Sequence, residues 1–292
     1  MELFFKSLFP WYQEWLEEPF APWSFGEGVL LTVLSFFEYS FDDSFSLRDQ
    51  LQCPTFMDSG AFSATAMGFA LDPYEVAEMH SILKADFAIP LDLVITIEDS
   101  EDVIEDKISQ TLRNTEILLN FLPSGSEVIG PIQGLTPNIM RRMFDALREL
   151  GITKFALGGV VFQSDLSAAI ERIQVAREIT KGYWLHVFGK FLHPRLLKAI
   201  INLADSVDGY GYILSSTRGL YIRQAEYQGI GSLSEAQLAE CSCSVCSNSE
   251  YSLIDFQRGD REAQHLLIQH NINALIALKE QYLSEVQSEE RI

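Results

Sequence analysis

Three cysteines lie within six residues, at Cys241, Cys243 and Cys246, and two histidines follow at His265 and His270. Thiolates at this spacing, completed by one imidazole, make a tetrahedral zinc ligand set. His270, 24 residues after Cys246 on a helix predicted over 261–286, is the expected fourth ligand, with His265 as the alternative. Four protein ligands leave no open position for water, so the zinc would be structural. Clustered thiols of this kind cannot build a disulfide framework with the remaining Cys53, and they point to a reducing, cytoplasmic compartment.

A second group of residues is acidic. Asp58 ends the run Phe56-Met-Asp-Ser-Gly-Ala-Phe62, Asp92 follows the apolar stretch 87–91, and Asp208 follows Asp205-Ser-Val. A carboxylate on an otherwise apolar strand costs roughly several kcal/mol to bury unless it is paired or used in chemistry. Gln133, the Gly158-Gly159 pair and Phe188-Gly189 also fall just after apolar runs.

These groups need elements to position them. Strands are predicted over 29–37, 55–58, 87–91, 127–133, 154–158, 184–188, 206–210 and 219–222. Helices are predicted between them over 73–84, 102–121, 137–150, 166–180 and 194–203. In the third of these, Ile139, Met143, Phe144 and Leu147 recur at helical spacing while Arg141, Arg142 and Arg148 take other faces. Alternating strand and helix implies a parallel sheet. Eight strands without a glycine-rich phosphate turn fit an α/β fold of the (β/α)₈ TIM barrel type better than a doubly wound sheet. Such a barrel carries its chemistry at the C-terminal ends of its strands, where Asp58, Asp92, Gln133, Gly158, Gly159, Phe188, Gly189 and Asp208 are expected. The chain reads as a single barrel over 1–292, with a small zinc-binding subdomain over about 225–271, before or within the last helix.

Paired carboxylates without a catalytic metal, phosphate loop or organic cofactor suit retaining glycosyl transfer. One carboxylate attacks the anomeric carbon, and the other protonates the leaving group and later deprotonates the incoming one. A purine-like leaving group would be read along its edge by Asp92, Gln133 and the backbone of Gly158-Gly159, and sandwiched by Phe62 and Phe188.

At this point the chain resembles the tRNA-guanine transglycosylase superfamily, the queuine and archaeosine transglycosylases and their relatives that insert 7-deazaguanines into DNA. The matching pieces run in family order: Asp58-Ser-Gly-Ala-Phe62, Pro90-Leu-Asp92, Ile132-Gln133-Gly134, Ala156-Leu-Gly158-Gly159, His186-Val-Phe188-Gly189, Asp205-Ser-Val-Asp208 and the Cys-x-Cys-x-x-Cys run with His270-Asn271. The resemblance implies that Asp208 is the nucleophile and Asp58 the general acid/base. It implies that Asp92, Gln133 and Gly159 bind the base edge, that Phe62 and Phe188 sandwich the heterocycle, and that Cys241, Cys243, Cys246 and His270 hold zinc. Ala61 stands where the family motif has a second glycine. The His-Val-Phe-Gly run is closer to archaeal tRNA enzymes, yet no RNA-binding domains follow the barrel and no Asn-Thr-Tyr-His-Leu segment precedes it. The stripped form looks most like the DNA-modifying branch. The resemblance therefore implies exchange of guanine in DNA for a preQ0-like 7-deazaguanine through a covalent aspartyl-glycosyl intermediate. The alternatives are the same exchange on tRNA and a non-catalytic accessory subunit; retention of Asp58 and Asp208 speaks against the latter.

Charge complicates a nucleic-acid substrate. The 292 residues carry a net charge of −20, the opposite of a basic footprint. The deficit is uneven: 23 acids face 5 bases before residue 131, against 18 and 16 after it. The substrate strand is expected over the second half, near Arg141, Arg142, Lys190, Arg195, Lys198, Arg218 and Arg223. The expected partners are a nucleic acid, DNA ahead of tRNA, and a free 7-deazaguanine, with room for a homodimer or an ATPase helper that unstacks the target. No apolar run is long enough for a membrane span, and the acidic N-terminal twenty residues do not read as a signal peptide.

Overall fold

The computed structural model describes residues 1–6, 27–133, 136–160, 165–189 and 192–289. Gly134, Lys190 and most of the N-terminal segment weighed as a signal peptide lie outside these residues.

Eight parallel strands close into a barrel in chain order: β1 (Glu2–Lys6), β2 (Gly28–Thr32), β3 (Thr55–Asp58), β4 (Phe87–Ala88), β5 (Glu127–Ile132), β6 (Lys154–Leu157), β7 (Trp184–Val187) and β8 (Ser206–Gly209). The described helices that wrap and join them are α1 (Leu47–Leu51), α2 (Ala61–Met67), α3 (Pro73–Leu83), α4 (Glu101–Phe121), α5 (Pro137–Glu149), α6 (Leu166–Ile179), α7 (Pro194–Ile200) and α8 (Gly211–Ser216). The (β/α)₈ barrel expected from the sequence is thus the fold, but two strand assignments change.

The first strand is the Leu-Phe-Phe run between Glu2 and Lys6, which is not among the strands predicted from the sequence. It pairs with β2 on one side (Phe4 opposite Gly28) and β8 on the other (Phe4 opposite Asp208), and this double pairing closes the cylinder. The segment expected as the eighth barrel strand, 219–222, instead contributes β9 (Leu220–Arg223), which forms a separate antiparallel hairpin with β10 (Glu226–Gly229). β9 and β10 pair with each other across a tight turn at Gln224 and Ala225, both at positive φ, a geometry that satisfies their backbone outside the barrel.

Two other predicted strands run well past their observed ends, and four more by a single residue. The apolar stretch 29–37 leaves the sheet at Thr32 and turns through a short 3₁₀ segment, Val33–Ser35; continuous hydrophobicity does not mark where a strand stops. β4 is only two residues because Pro90 has no N–H to extend the ladder, although Ile89 still donates to the carbonyl of Met57 at 3.0 Å.

Alternation along the strands splits the interior from the outer shell. Phe4, Leu30, Phe56, Ile89, Ile129 and Ala156 form a packed layer inside the barrel with Phe87, Trp184 and Phe188 against it. Leu3, Phe5, Leu157, Leu185, Val187 and Val207 point outward into the helices. The same parity turns His186 and Ser206, paired across β7 and β8, into the interior with Asp208.

Beyond the hairpin come α9 (Glu235–Ala239), α10 (Leu253–Gln257) and the long α11 (Arg261–Glu289). The last helix is tied to the opening of the barrel: Lys279, 8% exposed, pairs with Glu27, whose other oxygen accepts the backbone N–H of Leu3 at 3.3 Å.

Candidate active site

The eight residues expected at the barrel mouth, Asp58, Asp92, Gln133, Gly158, Gly159, Phe188, Gly189 and Asp208, line one cavity of about 340 Å³ together with Phe62, expected to flank the base. That volume is in the range of small-ligand sites, and its position outside the C-terminal ends of parallel strands is where barrel enzymes carry their chemistry.

Asp58 is the last residue of β3. The chain then turns sharply into α2 through Gly60, whose φ of +81° an L side chain rarely adopts. A Cβ there would also stand 2.4 Å from Cγ of Leu34. Glycine is therefore required to aim Asp58 into the mouth and to start α2, which carries Phe62, half exposed, onto the cavity wall.

Asp92 sits on the extended segment after β4, and α4 holds that segment in place. Asn114 donates to the carbonyl of Leu91 at 2.8 Å, Thr111 accepts the N–H of Leu93 at 3.1 Å, and Lys107 donates to the carbonyl of Val94 at 2.8 Å. Gln133, 4% exposed, follows β5 and donates its amide Nε2 to Oδ2 of Asp92, while its Oε1 accepts the N–H of Ile95 at 3.0 Å. Both ends of the amide are thus committed, which fixes its orientation. Burial, and then the nearby charge of Asp58, push the Asp92 carboxyl up to about 7. Two carboxyl groups close enough to oppose each other's ionisation are a feature of acid/base sites.

On the far wall, Gly158 continues the β6 ladder, donating to the carbonyl of Ile132 at 3.0 Å, and Gly159 follows at a φ of +79°. Asp208, 2% exposed on β8, accepts the N–H of Gly189 on Oδ1 at 2.8 Å. Gly189 has a φ of +119°, and this left-handed backbone turns its N–H toward β8. Asp205, matched with Asp208 in one motif, lies at the opposite end of the strand. There it pairs with Arg177 at 2.5 Å and accepts the N–H of Leu185, a structural role.

His186 has no role marked in the sequence beyond its place in a motif, and His193 and Tyr210 have none, yet all three line or underlie the cavity. The signal for His186 was present: Trp184, His186 and Phe188 alternate along one strand, so a cavity-facing Phe188 puts His186 inside the barrel.

The other cluster lies beyond the hairpin. Sγ of Cys241, Cys243 and Cys246 stand 3.6, 3.5 and 3.3 Å from Nδ1 of His270, and the four ligand atoms all lie within 4.8 Å of one another. A tetrahedral ion with bonds of about 2.3 Å to sulfur and about 2.0–2.1 Å to nitrogen gives S···N edges of this length. The residues therefore fit a metal ion. His265, the alternative ligand, is outside this cluster. Nε2 of His270 is 2.8 Å from the carbonyl of Ile222, which makes it the protonated nitrogen and leaves Nδ1 free to bind metal. The ring of Tyr221 stacks on that of His270 at 3.6 Å.

A barrel with three carboxylates at its mouth and a Cys₃His cluster after its last strand defines a restricted class of protein, and comparison with known proteins agrees. The family model described as queuine tRNA-ribosyltransferase matches residues 45–290, and the chain belongs to that family. It is 26% identical over 231 residues to the tRNA-guanine(15) transglycosylase of Methanosarcina barkeri, covering 77% of this chain and 46% of the relative. It is 25% identical over 227 residues to the enzyme of the same name from Archaeoglobus fulgidus, covering 75% and 46% respectively. The chain thus spans about half the length of these relatives. No helix among the described residues is long and apolar enough to cross a membrane.

Proposed function

We propose that the protein is a guanine transglycosylase that exchanges a guanine in tRNA for a free 7-deazaguanine base. The observation that carries this reading is the placement of Asp208, Asp58 and Asp92 around one small cavity, with Asp208 held by a backbone N–H. The sequence favoured DNA as the acceptor. The relatives that match the barrel are by name tRNA enzymes, and that favours tRNA.

In the proposed reaction an Asp208 oxygen attacks C1′ of the target nucleotide. The C1′–N9 bond breaks, its electron pair passes to guanine, and Asp58 protonates the departing base. The entering base loses its N9 proton to Asp58, attacks C1′ and displaces the Asp208 ester. Two inversions give net retention. Asp92 and Gln133 would read the edge of either base, the backbone of Gly158 and Gly159 would add contacts, and Phe62 and Phe188 would flank its faces. The target must leave its stack to enter a cavity this small. The Cys241, Cys243, Cys246 and His270 cluster is assigned to structural zinc, within a subdomain over about 225–271.

The test is mass spectrometry of nucleosides from tRNA and from DNA after incubation with the protein and preQ0. A 7-deazaguanine nucleoside in tRNA is the expected result. Incorporation into DNA alone would move the acceptor to DNA, and incorporation into neither would overturn the reading.

A further inference from the structure

Behind Asp208 lies a buried polar pair that the reaction above does not use. His186 and Ser206 are both fully buried in an aromatic interior, with the His186 ring 4.6 Å from that of Phe56 and 4.7 Å from that of Phe188. Nδ1 of His186 is 2.7 Å from Oγ of Ser206, its cross-strand neighbour. Nε2 is 3.4 Å from Oδ1 of Asp208 and has no hydrogen-bond partner among the described residues. A buried imidazole nitrogen without a partner costs free energy, so the direction in which this one points calls for a reason.

We propose that His186 is a positioning residue for the Asp208 carboxylate: Ser206 donates to Nδ1, which places the proton on Nε2, and Nε2–H is aimed at Oδ1 of Asp208. The opposite tautomer would set a nitrogen lone pair against a carboxylate oxygen with no water between them. The 3.4 Å separation is long for a hydrogen bond, and such contacts commonly shorten when the reacting complex forms. Oδ1 already accepts the N–H of Gly189 at 2.8 Å. With both donors directed at Oδ1, Oδ2 is assigned as the oxygen that attacks. This inference rests on the reading of Asp208 as nucleophile. It adds which oxygen attacks and what orients it.

The register makes the arrangement local. His186 lies opposite Ser206, and Asp208 follows two residues along on the same face, so two adjacent strands supply the whole relay. The Ser206 hydroxyl acts at one remove from the nucleophile and His186 at the first, while neither lines the cavity.

The test has two parts. In the free full-length protein, ¹⁵N NMR of the His186 ring should show Nε2 protonated and Nδ1 bare; a ring protonated on Nδ1 alone would overturn the proposal, whatever the activity. In guanine exchange with labelled guanine and unfractionated tRNA, His186→Leu should lower kcat about 10²-fold, the scale of a nucleophile misplaced by about 1 Å, with KM for guanine within about twofold. His186→Gln, which keeps an N–H donor, should recover most of that rate, and Ser206→Ala should fall between. His186→Leu reacting at the wild-type rate, or His186→Gln as slow as His186→Leu with both variants folded and metal-loaded, would overturn it. Failure of the wild type to incorporate guanine into any nucleic acid would instead overturn the functional reading, and the tautomer measurement would still decide the positioning.

Discussion

The backbone N–H of Gly189 reaches Oδ1 of Asp208 at 2.8 Å, from the end of one barrel strand to the end of the next. The carboxylate is held by main chain, so side-chain replacement at Asp208 can remove the chemistry while leaving the scaffold intact. Asp208→Asn should keep fold and bound metal, form no covalent adduct with nucleic acid on denaturing gels, and lose at least about 10³-fold in exchange rate. Full activity in this variant would rule out Asp208 as nucleophile.

Asp92 gives a pH signature. Its carboxyl is raised from 3.8 to about 7 in the fold by burial and by Asp58. Between these values the folded protein keeps a proton that the unfolded chain has lost, so this group's contribution to stability declines as pH rises from about 4 to about 7. Asp92→Asn should therefore be more stable than wild type at pH 8, by about 1–3 kcal/mol, and gain nothing at pH 4. Urea denaturation at the two pH values measures the difference, and an equal effect at both would show that the shift is absent.

Gly60 tests how the turn aims Asp58. An alanine there meets both a φ of +81° and Leu34 at 2.4 Å. Gly60→Ala should cost about 1–3 kcal/mol and reduce kcat, and Gly60→Ala with Leu34→Ala should recover part of the stability by removing the clash. Thermal melts and steady-state exchange separate the two effects.

The metal cluster should be stoichiometric and structural. One equivalent of zinc is expected by elemental analysis, and Cys246→Ala should lose it together with the packing of Tyr221, Leu238, Val245, Leu253 and Phe256, which share one core. Hydrogen exchange should rise first over 220–271. Asn271, next to His270 of that cluster, accepts the N–H of Ile222 at 2.9 Å and donates to Ser216 on α8 at 3.0 Å. Loss of metal should therefore also loosen the helix that directly follows the Asp208 strand.

The basic residues of the second half are less available than their number suggests. Arg142 pairs with Glu101 and Glu105, Arg195 with Glu226, Lys198 with Glu285 and Arg223 with Glu240. Phosphate contact must compete with these carboxylates, so tRNA binding by the protein alone should be weak and should fall steeply from about 50 to about 200 mM salt. Glu226→Gln, which frees Arg195, should tighten it about two- to fivefold. Affinity unchanged across that salt range would contradict the expected phosphate contacts.

Much of the site was legible because barrel topology converts strand ends into one place: Asp58, Asp92, Gln133, Gly158 and Asp208 are far apart in sequence yet each ends an apolar run. The Cys₃His cluster was legible from spacing, with His270 separated from His265 only by the structure. Less legible was anything defined by pairing. Leu220–Arg223 is as strand-like as β6, and only the adjacent partner Glu226–Gly229 takes it out of the barrel. The carboxylates that neutralise Arg142 and Lys198 lie 37 and 87 residues away, beyond any local pattern.

The closing strand also bears on how the molecule is made. Glu2–Lys6 pairs with Ser206–Gly209, and Glu27 with Lys279 at a separation of 252 residues, so the seam of the cylinder joins segments made far apart in time. Until some two hundred residues have followed it, Leu3-Phe4-Phe5 has at most one neighbouring strand, and these side chains stay open to nonspecific association. Contacts of such sequence separation make folding slow. Yield on expression should therefore respond more to substitutions at Phe4 and Phe5 than to comparable changes within β6, whose partners β5 and β7 lie close in the chain.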